Sequence, residues 1–456
     1  MQIINPATEE IIGEVSEDTT ETLSAKFQKL KAARPGWSAT DIPARKKIIL
    51  RFSDLMMEQI EPLARVLTNE VGKPLQQSRN EIRGACTRIK WLAEHAQQYL
   101  GEEQMTKDKS MEEKISYEPL GIICNISAWN YPWLVGVNVF VPALLAGNAV
   151  MYKPSEFASL TGLEIEKLFQ QAGLPADLFH VAIGAGSVGK ALLNMPFDGY
   201  FFTGSYKTGK AIYEQCASKM IPCQLEMGGK DPVYIADDVA SIQQVAATTA
   251  DGAFYNNGQS CCSVERIYVQ ESVFDAYISE FVKETLSWKT GAPTDEGIYF
   301  GPLTRKDQLL VLEKQVADAL SKGARLVTGG KRVPGKGYYF EPTILLDVTH
   351  EMDLMKEESF GPIIGIMKVK DDAEATRLMA DTAYGLTAAV FSRVQERAEK
   401  ILKQLNTGTG YWNCCDRVSA SLPWSGRNHS GFGVTLSHAG FHSFVRPRAW
   451  HLRPGY

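Results

Sequence analysis

The sequence lacks an excess of basic residues. Lys and Arg number 48 against 53 Asp and Glu, which gives a formal net charge of −5 and an isoelectric point of about 5.9. A chain without a net positive charge has no electrostatic reason to bind the phosphate backbone of DNA or RNA. We therefore expect no nucleic acid among its partners.

Long uninterrupted apolar runs are also missing. Residues 1–6 have neither the basic nor the apolar region of a signal peptide. The longest apolar stretch, residues 134–152, contains Asn138, Pro142 and Asn148, which are costly in lipid. We predict that this stretch is a buried helix leading into a strand, that the chain has no membrane span, and that it is cytoplasmic.

Cysteine motifs typical of disulfide or metal sites do not occur. The eight cysteines show no CxxC spacing, which together with the missing secretory signal favours a reduced cytoplasm over a disulfide framework. His438 and His442 are one helical turn apart, a spacing that metal sites use, but no further ligand types cluster nearby. We expect no metal.

What is present is typical of a soluble α/β protein. A chain of 456 residues with 44% hydrophobic and 22% charged residues is long enough for two or three domains. Helical periodicity marks residues 46–57 and 79–99, with Gly72-Lys73-Pro74 as a breaker between them. Later helices are predicted at 160–172, 187–194, 273–286 and 309–322, and strands at 115–119, 121–126, 149–152, 179–183, 199–202, 232–235, 266–269, 325–327, 363–367 and 388–391. This β-α-β alternation predicts parallel, doubly wound sheets that bind ligands at the carboxyl ends of their strands.

Two polar segments carry residues of catalytic type. Residues 256–262 read Asn-Asn-Gly-Gln-Ser-Cys-Cys, where glycine lets the backbone approach a reacting centre and polar neighbours keep sulfur out of an apolar core. Residues 225–230 place Glu226 before a glycine pair. A thiol that forms an acyl-enzyme needs a base to activate water afterwards, and a carboxylate can be that base. For either segment alone, a purely structural role is the alternative.

Two glycine-rich segments are candidates for a phosphate site. Residues 184–189 fit GxGxxG after a predicted strand, but no acidic residue follows at the expected place. Residues 204–210 nearly fit a P-loop, but Ala211 replaces the Ser or Thr that holds magnesium, which disfavours triphosphate chemistry. Ser205 and the amides of the following helix are predicted to bind a pyrophosphate. We predict dinucleotide binding here, with a structural glycine turn as the alternative.

Six motifs occur in a fixed order along the chain. They are Trp129-Asn130-Tyr131-Pro132, Lys153-Pro154-Ser155-Glu156, Phe202-Thr203-Gly204-Ser205 with Gly209, residues 225–230, Gly258-Gln259-Ser260-Cys261, and Glu358-Ser359-Phe360-Gly361-Pro362. In this order they resemble the aldehyde dehydrogenase superfamily over essentially the whole length. The C-terminal Ser430-Gly431-Phe432-Gly433 is similar to short, cytoplasmic succinate-semialdehyde members of that superfamily.

The resemblance implies an architecture. It has a Rossmann-like doubly wound dinucleotide-binding domain at 1–102 and 120–225, and a second α/β catalytic domain at 226–430. A small β oligomerisation arm is formed by 103–119 and 431–456. Such an arm implies a homodimer or homotetramer.

The resemblance also implies residue roles. Cys261, which follows Gly-Gln-x, would be the nucleophile, and the Asn130 amide with the Cys261 N–H would form the oxyanion hole. After hydride transfer to the nicotinamide, Glu226 would activate the water that hydrolyses the thioester. The implied cofactor contacts are Lys153 and Glu156 for the adenosine ribose, Ser205 for the pyrophosphate, Glu358 for the nicotinamide ribose and Phe360 for the nicotinamide ring. Trp129, Gly204 and Gly209 are further implied cofactor contacts. A carboxylate at Glu156 disfavours a 2′-phosphate, so NAD is expected to be preferred over NADP.

The substrate is expected to be an aliphatic aldehyde or a semialdehyde, oxidised to the free acid. Pocket candidates are Tyr131, Val135, Asn138, Phe254, Val418 and Trp424, with Arg417 and Arg427 close in sequence. An inward arginine would favour a carboxylate-bearing semialdehyde. There are two departures from the family pattern. Ala128 replaces the proline usual before Trp-Asn, which leaves the Asn130 assignment intact, and the altered sequence of residues 422–431 leaves the substrate open. The alternatives are a coenzyme A-acylating aldehyde dehydrogenase and a nucleotide-binding phosphotransferase.

Overall fold

The structure, a computed structural model, describes residues 1–454. Its helices are α1 (Thr20–Ala39), α2 (Ile42–Glu58), α3 (Ile60–Val71), α4 (Leu75–Leu100), α5 (Pro132–Leu145), α6 (Ser159–Gln171), α7 (Gly186–Leu193), α8 (Tyr206–Lys219), α9 (Ile242–Phe254), α10 (Phe274–Ser287), α11 (Lys306–Ser321), α12 (Asp353–Lys356), α13 (Asp372–Ala380), α14 (Gln395–Leu402) and α15 (Ser437–His442). Its strands are β1 (Gln2–Ile4), β2 (Ile11–Glu14), β3 (Glu103–Lys107), β4 (Glu112–Pro119), β5 (Ile122–Ile126), β6 (Ala149–Lys153), β7 (Phe179–Val181), β8 (Gly199–Gly204), β9 (Cys223–Met227), β10 (Asp231–Ile235), β11 (Val264–Gln270), β12 (Lys289–Thr290), β13 (Ile298–Phe300), β14 (Arg325–Thr328), β15 (Thr343–Leu346), β16 (Ile363–Val369), β17 (Thr387–Phe391), β18 (Thr409–Trp412), β19 (Gly431–Phe432) and β20 (Val445–Leu452).

The first large sheet has six strands in the order β19-β9-β8-β5-β6-β7. Its strands β5 to β9 pair in parallel, and only β19 runs antiparallel, against β9. The chain moves outward from β5 through β6 to β7 and then returns to β8 on the other side of β5. This doubly wound order creates a switch point between β5 and β8, where the carboxyl ends of neighbouring strands leave a crevice for a ligand.

The second large sheet has seven strands in the order β14-β15-β16-β11-β10-β17-β18. Six of them, β10, β11 and β15 to β18, pair in parallel, and β14 is antiparallel to β15. A third sheet, β20-β4-β3, is antiparallel. The expected α/β class is therefore confirmed, and the predicted strands from residue 115 to 391 correspond to β4 to β8, β10, β11, β14, β16 and β17.

Residues 134–152 form a buried helix and strand, as predicted. Helix α5 is almost wholly enclosed, and Asn148 between α5 and β6 satisfies its own amide. Its Oδ1 accepts from Gly121 N at 2.8 Å, and its Nδ2 donates to the carbonyls of Ala143 and Phe444 at 3.0 Å each. Within residues 1–454, every helix is too short or too polar to cross a membrane.

Two predicted boundaries differ from the places where the sheets change. Glu226 lies inside β9 and pairs with Thr203 of β8, so the chain leaves the first sheet only at Gly228–Lys230. Beyond residue 430, β19 pairs with β9 of the first sheet, and α15 packs on α4. The side chains of Phe441 and Phe444 are buried in the core around the first sheet. The apolar residues of this tail belong to a short helix and then to a strand. Of the tail's elements, only β20 pairs with β4.

Candidate active site

The loop that carries Cys261 is held in an unusual backbone conformation. Asn256, Asn257 and Gly258 follow α9 with φ values of 54°, 57° and 68°, a region that asparagine and glycine adopt most readily. The side chain of Asn257 donates to the carbonyls of Gly301 and Pro302 at 2.7 and 2.9 Å. A Cβ on Gly258 would lie 2.4 Å from the carbonyl oxygen of Gly361. The polar composition of this loop therefore serves its backbone, which packs directly against the Glu358–Pro362 segment.

Cys261 lies where two cavities meet. It is partly exposed and lines both a cavity of about 400 Å³ and a second of about 220 Å³. Cys262 is buried, and its Sγ donates to Asp416 Oδ1 at 3.0 Å. The neighbouring Cys261 thiol and burial raise the pKa of Cys262 well above its ordinary value. Of the two adjacent thiols, Cys261 is the accessible one.

The amide of Asn130 points at the cysteine loop. Its Nδ2 donates to Gln259 O at 3.1 Å, which uses one of its two hydrogens. The carbonyl oxygen of Asn130 accepts from Lys73 Nζ at 2.7 Å and from Asn256 Nδ2 at 3.3 Å. The hydrogen bonds that Lys73 and Asn256 donate to the backbone carbonyl of Asn130 therefore place its side chain beside the loop that carries Cys261.

Lys73, interpreted from sequence only as part of a breaker, is a buried cation of this site. Its Nζ donates to Glu81 and lies 3.7 Å from the centre of the Tyr131 ring. Glu81 also accepts from Trp133 N at 2.9 Å. Burial lowers the pKa of Lys73 and raises that of Glu81, and each opposes the shift of the other. The pair fixes the Trp129–Tyr131 turn before α5.

Glu226 lies on β9 and faces the 400 Å³ cavity together with Cys261. Its Oε1 accepts from Gln224 Nε2 at 3.0 Å and from Thr435 Oγ1. Burial raises the pKa of Glu226, and these hydrogen bonds and Arg88 lower it in part. A carboxylate whose pKa is raised is a stronger base and is suited to accept a proton from water.

Glu358 and Phe360 line the 220 Å³ cavity, also with Cys261. Glu358 Oε1 accepts from Gly229 N at 3.1 Å, and burial, reinforced by Glu265, raises its pKa to about 8. Phe360 has a φ of 48° and packs edge-on against Trp129 with ring centroids 5.4 Å apart. Its N–H donates to Glu265 Oε1 at 3.1 Å, so a buried acid sets the course of this segment.

A third cavity, of about 600 Å³, lies at the switch point of the first sheet. The predicted contacts that line it are Trp129, Lys153, Glu156, Gly204 and Ser205. Gly209 does not line it; a Cβ there would lie 2.3 Å from Met227 Sδ, so this glycine lets α8 approach β9. Ser205 precedes α8 as its N-cap.

The groove has the chemistry that a dinucleotide requires. The hydroxyls of Ser127 and Thr203 border it, are buried, and have no hydrogen-bond partner in the described part of the chain. A Cβ on Gly186 would meet nothing within 4 Å. Lysines 153, 190 and 207 border the same space. Cations, open backbone and unpaired hydroxyls at a switch point fit a phosphate-bearing ligand.

Comparison with known proteins identifies this arrangement. Residues 1–449 match the family described as the aldehyde dehydrogenase family. The chain belongs to that family. It is 34% identical over 454 residues to peroxisomal aminoaldehyde dehydrogenase 1 of Pisum sativum, which covers 97% of this chain and 90% of the relative.

Solved structures agree in fold. Betaine aldehyde dehydrogenase from Staphylococcus aureus in complex with NAD+ superposes with a TM-score of 0.95 at 30% identity, covering 100% of this chain and 92% of that one. A 3,6-anhydro-L-galactose dehydrogenase in complex with NAP gives 0.95 at 29% identity, covering 99% and 96%. The chain is an NAD(P)-dependent aldehyde dehydrogenase.

The lining of the 400 Å³ cavity of the dehydrogenase corrects the predicted pocket. Five of the predicted residues line it: Tyr131, Val135, Asn138, Val418 and Trp424. Phe254 does not, because its fully buried ring packs with Phe281 and Phe300 in a core on the second sheet. Neither Arg417 nor Arg427 lines it, and Arg427 donates to Asn406 Oδ1 at 3.2 Å instead. The arginine in the cavity is Arg88, which the sequence interpretation missed, as it missed Tyr255 and Asp416.

Replacing Lys73 by methionine should destabilise the enzyme. Glu81 would remain buried without its cation, a change that costs about 3–5 kcal/mol when one partner of a buried pair is removed. Lys90→Met, an exposed change on α4, the helix that carries Glu81, is the control and should alter stability by less than about 0.5 kcal/mol. Urea unfolding followed by tryptophan fluorescence measures both. Equal midpoints for the two variants would contradict a structural role for the pair.

Proposed function

We propose that Cys261 is the nucleophile, Glu226 the general base and Asn130 an oxyanion donor in the oxidation of an aliphatic aldehyde or semialdehyde to its free acid. The observation that supports this most directly is the position of Cys261 between two cavities. One contains Glu226 and the other contains Glu358 and Phe360. A substrate entering the first and a nicotinamide entering the second would meet at the same sulfur atom.

The proposed steps follow from these side chains. The Cys261 thiolate adds to the aldehyde carbon, and the resulting oxyanion accepts from Asn130 Nδ2 and the Cys261 N–H, each worth about 3–4 kcal/mol. Bound in the groove, the cofactor supplies the hydride acceptor that converts the thiohemiacetal into a thioester. Glu226 then removes a proton from water as its oxygen attacks the thioester carbon, releasing the acid and the thiol.

Two alternatives are weaker. Transfer of the acyl group to coenzyme A needs no water-activating base, whereas Glu226 shares the cavity with Cys261. A phosphotransferase needs a magnesium ligand, and Ala211, which borders the large groove, has none to offer. NADH formation from an aldehyde without coenzyme A separates the proposal from both.

Cys261→Ala should abolish aldehyde oxidation, while Cys262→Ala should retain most of it. The reason is that Cys261 lies between the cavities, whereas Cys262 is buried and donates to Asp416. The steady rate of NADH formation at 340 nm measures both variants. Losses of equal size would remove the basis for assigning the nucleophile.

Thr435→Val should shift the acid limb of deacylation to higher pH. The Thr435 hydroxyl donates to Glu226 and lowers the pKa of that carboxyl, so removing it raises the pKa. Because a base acts only when deprotonated, more alkaline solution is then needed for the same rate. The measurement is the pH profile of acid release from the thioester. Thr376→Val, whose hydroxyl donates to Asp372 O on α13, is the control; an acid limb shared by all three proteins would argue against Glu226 as the base.

For the cofactor, we propose that Lys153 and Glu156 hold the adenosine ribose, Ser205 the pyrophosphate, and Glu358 and Phe360 the nicotinamide ribose and ring. Trp129, which lines both cavities, and Gly204 are proposed as further contacts. The positions of these residues along the two connected cavities support this order. Gly209 has only the indirect role described above. We further propose that NAD is preferred over NADP, because the Glu156 carboxylate faces the groove and would repel a 2′-phosphate.

Glu156→Ser should raise kcat/KM for NADP relative to NAD by about tenfold or more, since it removes a like-charge contact of a few kcal/mol at most. The ratio of kcat/KM for the two cofactors measures it. Glu164→Ser on α6, outside the groove, is the control. A wild type that favours NADP, or a ratio that Glu156→Ser leaves unchanged, would show that Glu156 does not read the ribose.

The domain roles and the assembly are also proposals. The first sheet would bind the cofactor, the second would carry the nucleophile, and the β20-β4-β3 sheet would join subunits into a homodimer or homotetramer. Every residue of β3 is exposed, including Met105 at 61%, which supports an interface there. Light scattering that gives the mass of a single chain would oppose it.

All eight cysteines are free thiols, which supports a reducing, cytoplasmic location, to be tested by cell fractionation.

A second candidate substrate class is an ammonium-bearing aldehyde. The names of the Pisum sativum and Staphylococcus aureus relatives specify an aminoaldehyde and betaine aldehyde. Asp416 in the cavity favours this class, because a carboxylate attracts a cation. The hydrogen-bond partners of Asp416 and of Arg88 distinguish the two substrate classes.

A further inference from the structure

Arg88 brings a positive charge to the wall of the 400 Å³ cavity. It lies on α4, 8% exposed, and faces α5. Its Nη1 donates to Asn138 Oδ1 at 2.6 Å and to Leu134 O at 3.2 Å, both on α5. Since both acceptors are neutral oxygens, they orient the guanidinium without neutralising it.

The charge of Arg88 has no direct ion partner among the residues that the structure describes. No carboxylate oxygen of residues 1–454 lies within 4.0 Å of its guanidinium. Burial lowers the pKa of Arg88 to about 10, so the group remains cationic at neutral pH, and Glu226 is the largest of the charges that oppose this shift. A desolvated cation without an ion partner is costly, and an incoming anion would remove that cost.

The acids of the cavity are already engaged elsewhere. Asp416 Oδ1 accepts from Cys262 Sγ at 3.0 Å and from Ser260 Oγ at 3.4 Å. Glu226 accepts from Gln224 and Thr435. These donors are neutral, so they orient both carboxylates without neutralising them, and neither acid lies within 4.0 Å of Arg88.

The donors left over on Arg88 suit a carboxylate. Its Nε and Nη2 make no hydrogen bond within the described part of the chain, and these two nitrogens form the edge of a guanidinium that binds two carboxylate oxygens side by side. The cavity between Arg88 and Cys261 is lined by Tyr131, Val135 and Trp424, which suit a short methylene chain.

We propose that Arg88, oriented by Asn138, binds a carboxylate of the substrate, so that the preferred substrate is a short semialdehyde whose carboxylate lies at the end opposite to the aldehyde. This rests on the proposed function, because it requires the aldehyde carbon to be at Cys261. The same charge disfavours an aldehyde that carries an ammonium group.

Three probes of similar length test the proposal in the wild-type enzyme with saturating NAD: 4-oxobutanoate, butanal and 4-aminobutanal. We expect kcat/KM for 4-oxobutanoate to exceed that for butanal by about 100-fold, as for other buried charge pairs, with 4-aminobutanal below butanal. This comparison depends on no variant. Equal values for 4-oxobutanoate and butanal, or a preference for 4-aminobutanal, would overturn the proposal.

A variant series locates the effect. Arg88→Gln should lower kcat/KM for 4-oxobutanoate by about 100-fold, mainly through KM, and leave butanal within about threefold. Arg88→Lys keeps the charge but loses the planar guanidinium, so its kcat/KM for 4-oxobutanoate should lie between those of the wild type and Arg88→Gln. Arg83→Gln, an exposed arginine on the same helix, is the control and should change neither. Equal losses on 4-oxobutanoate and butanal in Arg88→Gln would mean that Arg88 does not read the carboxylate.

Failure of the underlying function gives a different result. If the wild type forms no NADH from any of the three aldehydes, or if Cys261→Ala retains full activity, the aldehyde is not oxidised at Cys261 and both proposals fall. If butanal is oxidised through Cys261 and the carboxylate has no effect, only the role of Arg88 is lost.

Discussion

The active site depends on the carbonyl oxygen of Asn130. This one atom accepts a hydrogen bond from Lys73, which precedes α4, and another from Asn256 in the cysteine loop. The loop follows α9, whose partners belong to the second sheet, while Asn130 follows β5 of the first. Two sheets with separate cores are thereby joined beside Cys261. The buried Lys73–Glu81 pair makes the joint rigid, since moving either charge would leave the other unpaired.

Burial also sets the chemistry of the acids. Glu226, Glu358 and Asp416 all lie along the two cavities that meet at Cys261, and burial raises the pKa of each. Their hydrogen-bond partners differ: side-chain donors for Glu226, the Gly229 amide for Glu358, and a thiol and a hydroxyl for Asp416. Burial therefore raises the pKa at all three positions, and the hydrogen-bond donors at each position differ. Arg88 is the opposite case, a buried cation whose partners are neutral.

The 600 Å³ groove follows from the topology of the first sheet. The doubly wound order of the first sheet opens a crevice between β5 and β8, and the chain segments that leave these strands supply Trp129 and Ser205. Four of the six sequence motifs lie at the carboxyl ends of β5, β6, β8 and β9, which meet at one edge of the first sheet. The other two precede β11 and β16 of the second sheet. Solved structures at about 30% identity share this fold with a TM-score of 0.95, which shows that the fold tolerates wide substitution.

The sequence by itself determined the family, the α/β class, most of the strands and the identity of Cys261, Glu226 and Asn130 as candidates. These features depend on local backbone requirements, such as the left-handed loop at Asn256–Gly258, and local requirements leave local motifs. Only the tertiary structure decided that Glu226 belongs to the first sheet, that Lys73 holds Asn130, and that Arg88 rather than Arg417 or Arg427 lines the 400 Å³ cavity. Each of these depends on contacts between residues distant in sequence. Periodicity shows that one face of a helix such as α4 is buried, but it does not distinguish a buried face that packs in a core from one that lines a cavity.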